Sequence, residues 1–178
     1  MAMSNPQPGN KTHAELIKRL APYWKIEAAN IVLMPIFGLV MTRGQIGWVT
    51  LVPMLACVVL LGIGAAYWRF KVRQLQRKQP NIAVLHRLEQ LRWPSLLLTL
   101  LGGLVAVLGW AMPALSIGLA DRIAASGYAV LAVLEYVNYY HRQLQHFDNL
   151  TDFRRMLAGK GFRQSWMARD LAALRKRS

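Results

Sequence analysis

Cysteine and acidic residues are scarce in this chain of 178 residues. The single cysteine, Cys57, cannot form a disulfide, a thiol redox pair or a cysteine-based metal site within one chain. Only 8 residues are acidic, against 22 Lys and Arg, which gives a net charge of +14. The water-exposed parts must therefore be strongly basic, and we expect them to attract anionic lipid, nucleic acid or an acidic partner.

The sequence patterns of common enzyme classes are missing as well. The chain has no G-x-S-x-G, phosphate-binding glycine loop, H-E-x-x-H or paired-cysteine pattern. All four histidines lie outside or at the edges of the apolar stretches, which argues against a haem held between mid-membrane histidines. Pairs such as His86 with Glu89 supply only two ligands. We therefore expect no cofactor and no metal site.

Apolar residues, in contrast, make up 54% of the chain, and charged residues only 17%. Soluble domains carry about 25% charged residues. About 20 apolar residues are needed for a helix to cross a bilayer. The sequence therefore predicts an all-α membrane protein with four transmembrane helices in two hairpins, at about residues 23–42, 46–68, 93–112 and 122–141, which together form a domain over 23–141.

The segments outside these spans are polar or basic. Residues 1–22 lack the layout of a secretory signal and predict a tail followed by an amphipathic helix, with Thr12 and Glu15 at capping-box spacing. Residues 69–92 predict a basic loop with a second amphipathic helix, and residues 142–178 a basic tail. Within that tail we expect one helix at about 149–158 and a last helix from Ser165.

The distribution of positive charge predicts the orientation. All but two of the 22 Lys and Arg residues fall in or next to the two termini and the central loop, and the exceptions are Arg43 and Arg122. By the positive-inside tendency both termini and the loop are cytoplasmic, and we expect a bacterial-type inner membrane. Within the second span, Gly62 and Ala66 have a spacing that favours close approach of another helix.

Two E-x-x-N patterns stand in the outer spans, and they form our candidate ion or proton site. Glu27 with Asn30 and Glu135 with Asn138 each place a carboxyl and an amide on one helix face. If the two helices meet, the carboxyl groups share a site and bind protons in a coupled manner. The alternatives are a structural ion pair or snorkelling of the side chains to the interface. The candidate charge partners are Lys25, Arg69, Arg92 and Arg142.

The C-terminal tail combines cations with aromatic residues, which is typical of segments that bind anionic lipid or a protein partner. Aromatic residues between arginines also suit RNA, including ribosomal RNA, although no nucleic-acid-binding module is recognisable. The candidate lipid- or partner-binding residues are Arg154, Arg155, Arg163, Trp166, Arg169, Arg175, Lys176 and Arg177.

Three functional hypotheses follow. The leading hypothesis is a non-enzymatic accessory, assembly or scaffold protein of the membrane, which binds other membrane proteins or itself. The second is a small transporter or channel, coupled to protons or ions, that uses Glu27 and Glu135. The third is an enzyme that acts on lipid headgroups through Glu135, Tyr139 and His141.

Overall fold

The computed structural model describes residues 15–18, 20–76, 82–144 and 162–176. Within these ranges the chain is helical apart from short turns, and it contains no β-strand. The predicted all-α fold is therefore confirmed. The helices of nine residues or more within these ranges are labelled α1 to α6 and span Tyr23–Met41, Trp48–Leu75, Ile82–Gln90, Arg92–Ala111, Leu119–Tyr140 and Trp166–Arg175.

Three helical segments of the described chain are long and apolar enough to cross a membrane. They are Glu15–Met41, Trp48–Leu75 and Ile82–Ala111, so the first and third join a short amphipathic helix to the long helix that follows it. Helix α5 has 22 residues but is not among them. Four polar side chains lower its apolar character, namely Asp121, Arg122, Glu135 and Asn138.

Helix α2 lies at the centre of the bundle and packs against α1, α4 and α5. Its contact with α4 is close, because a β-carbon on Gly102 would lie 2.9 Å from the Cα of Pro53. The face that carries Gly62 and Ala66 behaves differently. No side chain or backbone atom lies within 4 Å of a β-carbon placed at Gly62, and Ala66 is exposed. No other helix of the described chain packs closely on this pair, so close approach of a helix at Gly62 and Ala66 stays a prediction for a partner.

Contacts along the bundle establish the relative direction of the helices. Helices α2 and α5 run parallel, since Thr50 lies beside Asp121 at one end and Gly64 lies beside Tyr139 at the other. Helix α1 runs antiparallel to α5, since Glu27 meets Tyr139 while Met34 meets Tyr128. The end where α2 and α5 terminate and α1 and α4 begin is called the basic end below.

Several element boundaries differ from the sequence prediction. Helix α2 continues to Leu75, well beyond residue 68, and α5 begins at Leu119 instead of 122. The extra turns of α2 are stabilised by burial of Phe70 and Val72, so much of the predicted loop 69–92 is helix. The predicted helix at 149–158 and the capping residue Thr12 lie outside the described residues.

The last helix, α6, folds back onto the basic end of the bundle. It begins after Ser165, whose hydroxyl accepts the N–H of Ala168 as an N-cap, which confirms the predicted start. Met167 and Leu171 are each 1% exposed and join the main hydrophobic core. Part of the segment predicted as a basic tail is therefore packed against the helix bundle.

Candidate functional site

Glu27 is a buried carboxyl group on the face of α1 that meets α5. It is 5% exposed, and its Oε1 accepts a 2.6 Å hydrogen bond from the Tyr139 hydroxyl. Gly64 of α2 makes room for this contact, because a β-carbon there would overlap the Tyr139 hydroxyl. Gly64 of α2 thus leaves space for Tyr139 of α5 to reach the carboxyl group of Glu27 on α1.

Glu135 lies one turn before Tyr139 on α5 and faces the same region. It interacts electrostatically with Glu27 and lies close to the Tyr139 hydroxyl. Its Oε2 is buried and has no hydrogen-bond partner. The free thiol of Cys57, which is 2% exposed, lies near both carboxyl groups. The structure therefore brings the two predicted carboxyl groups together around one phenolic hydroxyl. Glu27 is buried, whereas Glu135 is half-buried.

The two predicted amides have different positions. Asn30 lies one turn further along α1 than Glu27 and is half-buried. Asn138 is 9% exposed, and its Oδ1 accepts a 2.9 Å hydrogen bond from the backbone N–H of Leu144. Asn138 therefore fixes the chain where it leaves α5, beside the carboxyl cluster.

The four predicted charge partners do not pair with these carboxyl groups in the described chain. Lys25 and Arg69 both lie over the ring of Trp24, at 5.9 Å and 5.8 Å from its centroid. Arg142 donates to the carbonyl of Phe162 at 3.0 Å. Arg92, at the start of α4, has no ion pair with either glutamate. The charge-pairing prediction is wrong here, because the glutamates point into the bundle while these cations lie near its surface.

A second tyrosine repeats the contact between α5 and α1. Tyr128 lies about three turns before Tyr139 on α5, and its hydroxyl donates to the carbonyl of Met34. A β-carbon on Gly38 would lie 2.7 Å from the Tyr128 hydroxyl, so this glycine also accommodates the ring. Two tyrosines thus connect α5 to α1, but only Tyr139 donates to a carboxyl group.

Asp121 forms a separate buried site at the opposite end of α5. It is 2% exposed, and its carboxyl group accepts hydrogen bonds from the backbone N–H groups of Gly47 at 3.1 Å and Ile117 at 3.2 Å. The Asp121 carbonyl also accepts from the Thr50 hydroxyl at 2.7 Å. This aspartate connects the turn between α1 and α2 to the start of α5.

At the basic end, α6 is attached to α2 by an ion pair. Lys71 and Asp170 lie 2.8 Å apart, and Asp170 also accepts a 2.9 Å hydrogen bond from the Tyr67 hydroxyl. The Lys71 ammonium lies 5.4 Å from the centroid of the Trp166 ring. In addition, the Ser165 hydroxyl donates to the carbonyl of Tyr139. The start of α6 is thereby held directly over the end of α5.

Because α6 packs on the bundle, some of the predicted lipid- or partner-binding residues of the tail contact other helices, while others stay exposed. Trp166 contacts Lys71, and Arg175 lies 3.4 Å from Glu89 of α3. Arg163, Arg169 and Lys176 are exposed. Binding of lipid or a partner by these residues stays a prediction, and three of its members lie outside the described residues: Arg154, Arg155 and Arg177.

Sequence reasoning found the two glutamates but missed the residue that joins them. The sequence patterns assign Tyr139 only to the hypothetical lipid-headgroup site, and they indicate Gly62 and Ala66, not Gly64, as the positions of close helix contact. The signal that could have found this arrangement is the i, i+4 spacing of Glu135 and Tyr139, which places a donor beside the carboxyl group. The ion pair between Lys71 and Asp170 has no local pattern, because its members are 99 residues apart in sequence.

No protein-family model, curated protein or solved structure matches this chain. Among the residues that the structure describes, no group of three or more His, Cys, Asp or Glu side chains is arranged to hold a metal ion. The function must therefore be argued from the carboxyl groups and their surroundings.

Proposed function

We propose that this chain is a small proton-coupled integral membrane protein, a transporter or channel, in which Glu27 and Glu135 bind the proton. The observation that carries the proposal is the Tyr139 hydroxyl, which donates to Glu27 of α1 and lies beside Glu135 of α5. Carboxyl and phenol groups exchange protons, and the buried Oε2 of Glu135 supplies an acceptor with no other partner in the described chain.

Glu27 and Glu135 would be two adjacent negative charges without a counter-ion if both were ionised. Two ionised carboxylates in a low-dielectric bundle repel each other, and each loses its hydration. In the described chain neither glutamate has a Lys or Arg partner, and one hydroxyl can donate only one hydrogen bond. A proton held by the pair removes one charge and adds a second donor. Buried carboxyl groups of this kind commonly mark proton or ion pathways in membrane proteins.

The proposal includes four membrane crossings, with both termini on the cytoplasmic side of a bacterial-type inner membrane. Helix α5 supports the fourth crossing, since it runs parallel to α2 from Asp121 beside Thr50 to Tyr139 beside Gly64. It therefore covers much of the depth of a helix that can itself span a bilayer. The concentration of Lys and Arg at the termini and central loop supports the orientation.

Proton flux through reconstituted protein tests this function. The parent protein, Glu27→Gln and Glu135→Gln are placed in liposomes that contain a pH-sensitive dye, and a pH gradient is applied. We expect flux from the parent protein and loss of flux in either variant, because glutamine preserves the shape but cannot release a proton.

Glu15→Gln is the matched control, since Glu15 is an exposed carboxyl group outside the cluster. Its flux should equal that of the parent. Absence of flux from the parent protein, or unchanged flux in both cluster variants, would remove the transport proposal.

An accessory or scaffold role is the second candidate, and one observation favours it. The face of α2 with Gly62 and Ala66 leaves the backbone open to close approach, and nothing in the described chain covers it. Small residues on an exposed membrane face favour helix association between subunits. The exposed cations at the basic end, including Arg163, Arg169 and Lys176, suit anionic lipid on the same side.

The mass of the protein in mild detergent tests this second role. The parent chain is compared with a Gly62→Leu variant and with a chain that lacks the tail from residue 149. An oligomer or co-purifying membrane protein that disappears in Gly62→Leu would support the role. A monomer without a partner in all three samples would count against it.

A further inference from the structure

A small cavity lies at the basic end, between α2, the end of α5 and the start of α6. Its volume is about 20 Å³, and its lining includes Trp68, Asn138, Tyr139, Ser165 and Trp166. About 10–15 Å³ is enough for one water molecule. The cavity therefore has room for one water but not for a larger solute.

Polar side chains in the lining suit water in this cavity. Asn138 and Ser165 both line it, and each carries a polar group that can form a hydrogen bond with water. Water is thus the ligand that fits both the size and the chemistry of the cavity.

Tyr139 connects this cavity to the carboxyl cluster. The residue forms part of the cavity wall, and its hydroxyl donates to Glu27, which is not itself in the lining. Ser165, Trp166 and Met167, where α6 begins, also line the cavity. Lifting α6 would therefore widen its opening to the surrounding water beside Tyr139.

We propose that this cavity is the aqueous access point of the Glu27 and Glu135 pair, and that α6 is a cover held closed by the Lys71 and Asp170 ion pair. The inference rests on the proposed proton-binding function of the pair. Asp170 is the central contact of the cover, because it accepts from both Lys71 and Tyr67. Neutralising Asp170 should leave Lys71, which is nearly buried, without its counter-charge.

The test measures access of water-soluble reagents to the cluster in lipid nanodiscs. A water-soluble carbodiimide reports on Glu27 and Glu135, because it reacts with protonated carboxyl groups. A charged thiosulfonate reports on Cys57, the single cysteine, which lies near both carboxyl groups and is 2% exposed. Modification at each residue is measured by peptide mass spectrometry, and the parent chain is compared with Asp170→Asn.

We expect slow modification of the parent chain and a rise of about tenfold in Asp170→Asn, which corresponds to about 1.4 kcal/mol of lost docking free energy. Lys71→Met should give a similar rise, since it removes the other half of the ion pair. Glu15→Gln, which removes an exposed carboxyl group elsewhere, should match the parent. Circular dichroism confirms that each variant retains its helical content.

The two reporters separate this inference from the proposed function. A rise at Cys57 without any carboxyl modification would support the cover but contradict proton binding by the glutamates. A rise at the glutamates would support both. Unchanged modification at all three residues in Asp170→Asn and Lys71→Met would overturn the cover, whatever the flux experiment gives.

Discussion

Carboxyl groups lie at both ends of α5, but the two ends differ in how many hydrogen-bond donors they supply. At one end Asp121 is 2% exposed, and two backbone N–H groups donate to its two oxygens. At the other end Glu27 and Glu135 lie around the single hydroxyl of Tyr139, and one oxygen of Glu135 has no partner in the described chain. The fold supplies donors to both oxygens of Asp121, whereas it leaves one oxygen of Glu135 without a donor.

This difference separates a structural role from a functional one. Buried polar groups in folded proteins are nearly always hydrogen-bonded, so an exception calls for a specific explanation. Asp121 needs none, because the turn before α2 and the start of α5 supply its donors. The glutamate pair lacks donors that a bound proton would provide. Substitutions at the first site should therefore affect stability, and substitutions at the second should affect function.

Asp121→Ala should have the largest effect on stability. It leaves the N–H groups of Gly47 and Ile117 buried without an acceptor, which we expect to cost about 4 kcal/mol in the free energy of unfolding. Denaturant unfolding in mild detergent, followed by circular dichroism, measures this loss. Asp121→Asn is the control and should lose less, since it keeps one acceptor oxygen. Equal stability of Asp121→Ala and the parent would show that the site is not structural.

Gly64→Ala should destabilise by about 2 kcal/mol, because overpacking of a tight contact has a cost of this order. The added methyl group would overlap the Tyr139 hydroxyl and displace it from Glu27. We expect proton flux to fall as well. Gly62→Ala is the matched control on the same helix, where no atom lies within 4 Å of the added carbon. A similar loss in both variants would mean that helix geometry, not the tyrosine contact, is responsible.

The two tyrosines offer a more selective comparison. Tyr128→Phe and Tyr139→Phe each remove one hydroxyl, and each should lower the free energy of unfolding by about 1 kcal/mol. Flux should be lost only in Tyr139→Phe, since Tyr128 donates to the backbone carbonyl of Met34 and not to a carboxyl group. Unfolding and liposome flux are measured on both variants. Equal flux in the two would argue against a role for the Tyr139 hydroxyl.

The smallest effect on stability is expected for Glu135→Gln. Replacing a poorly satisfied ionisable group by a neutral one is often neutral or stabilising. The unfolding midpoint should therefore stay the same or rise while flux is lost. A loss of about 3 kcal/mol or more, the range of a broken buried charge contact, would indicate a structural role for Glu135 instead.

Much of the helix content was predictable, because long apolar stretches and basic connections are strong local signals. The spacing of Glu27 and Asn30 and of Glu135 and Asn138 indicates α1 and α5, and the structure places the two glutamates near the same tyrosine. Helix faces were harder to predict. Gly62 and Gly64 are both small, and only the packing of α5 against α2 decides that Gly64 meets Tyr139.

Contacts between side chains far apart in sequence were not predictable either, because they also depend on how the helices pack. Lys25 and Arg69 are close in sequence or predicted position to the glutamates, yet both lie over the Trp24 ring. Asp170 is an ordinary residue of a basic helix until α6 folds back onto Lys71. Such contacts depend on tertiary arrangement, which a single sequence does not encode in any local pattern.

Infrared spectroscopy of the carboxyl groups tests the central claim most directly. A protonated carboxyl group has a carbonyl band that is separate from the bands of a carboxylate. We predict such a band in the parent protein in lipid at neutral pH, and its loss in both Glu27→Gln and Glu135→Gln but not in Asp121→Asn. A parent protein without the band, or a band that disappears only in Asp121→Asn, would contradict the account.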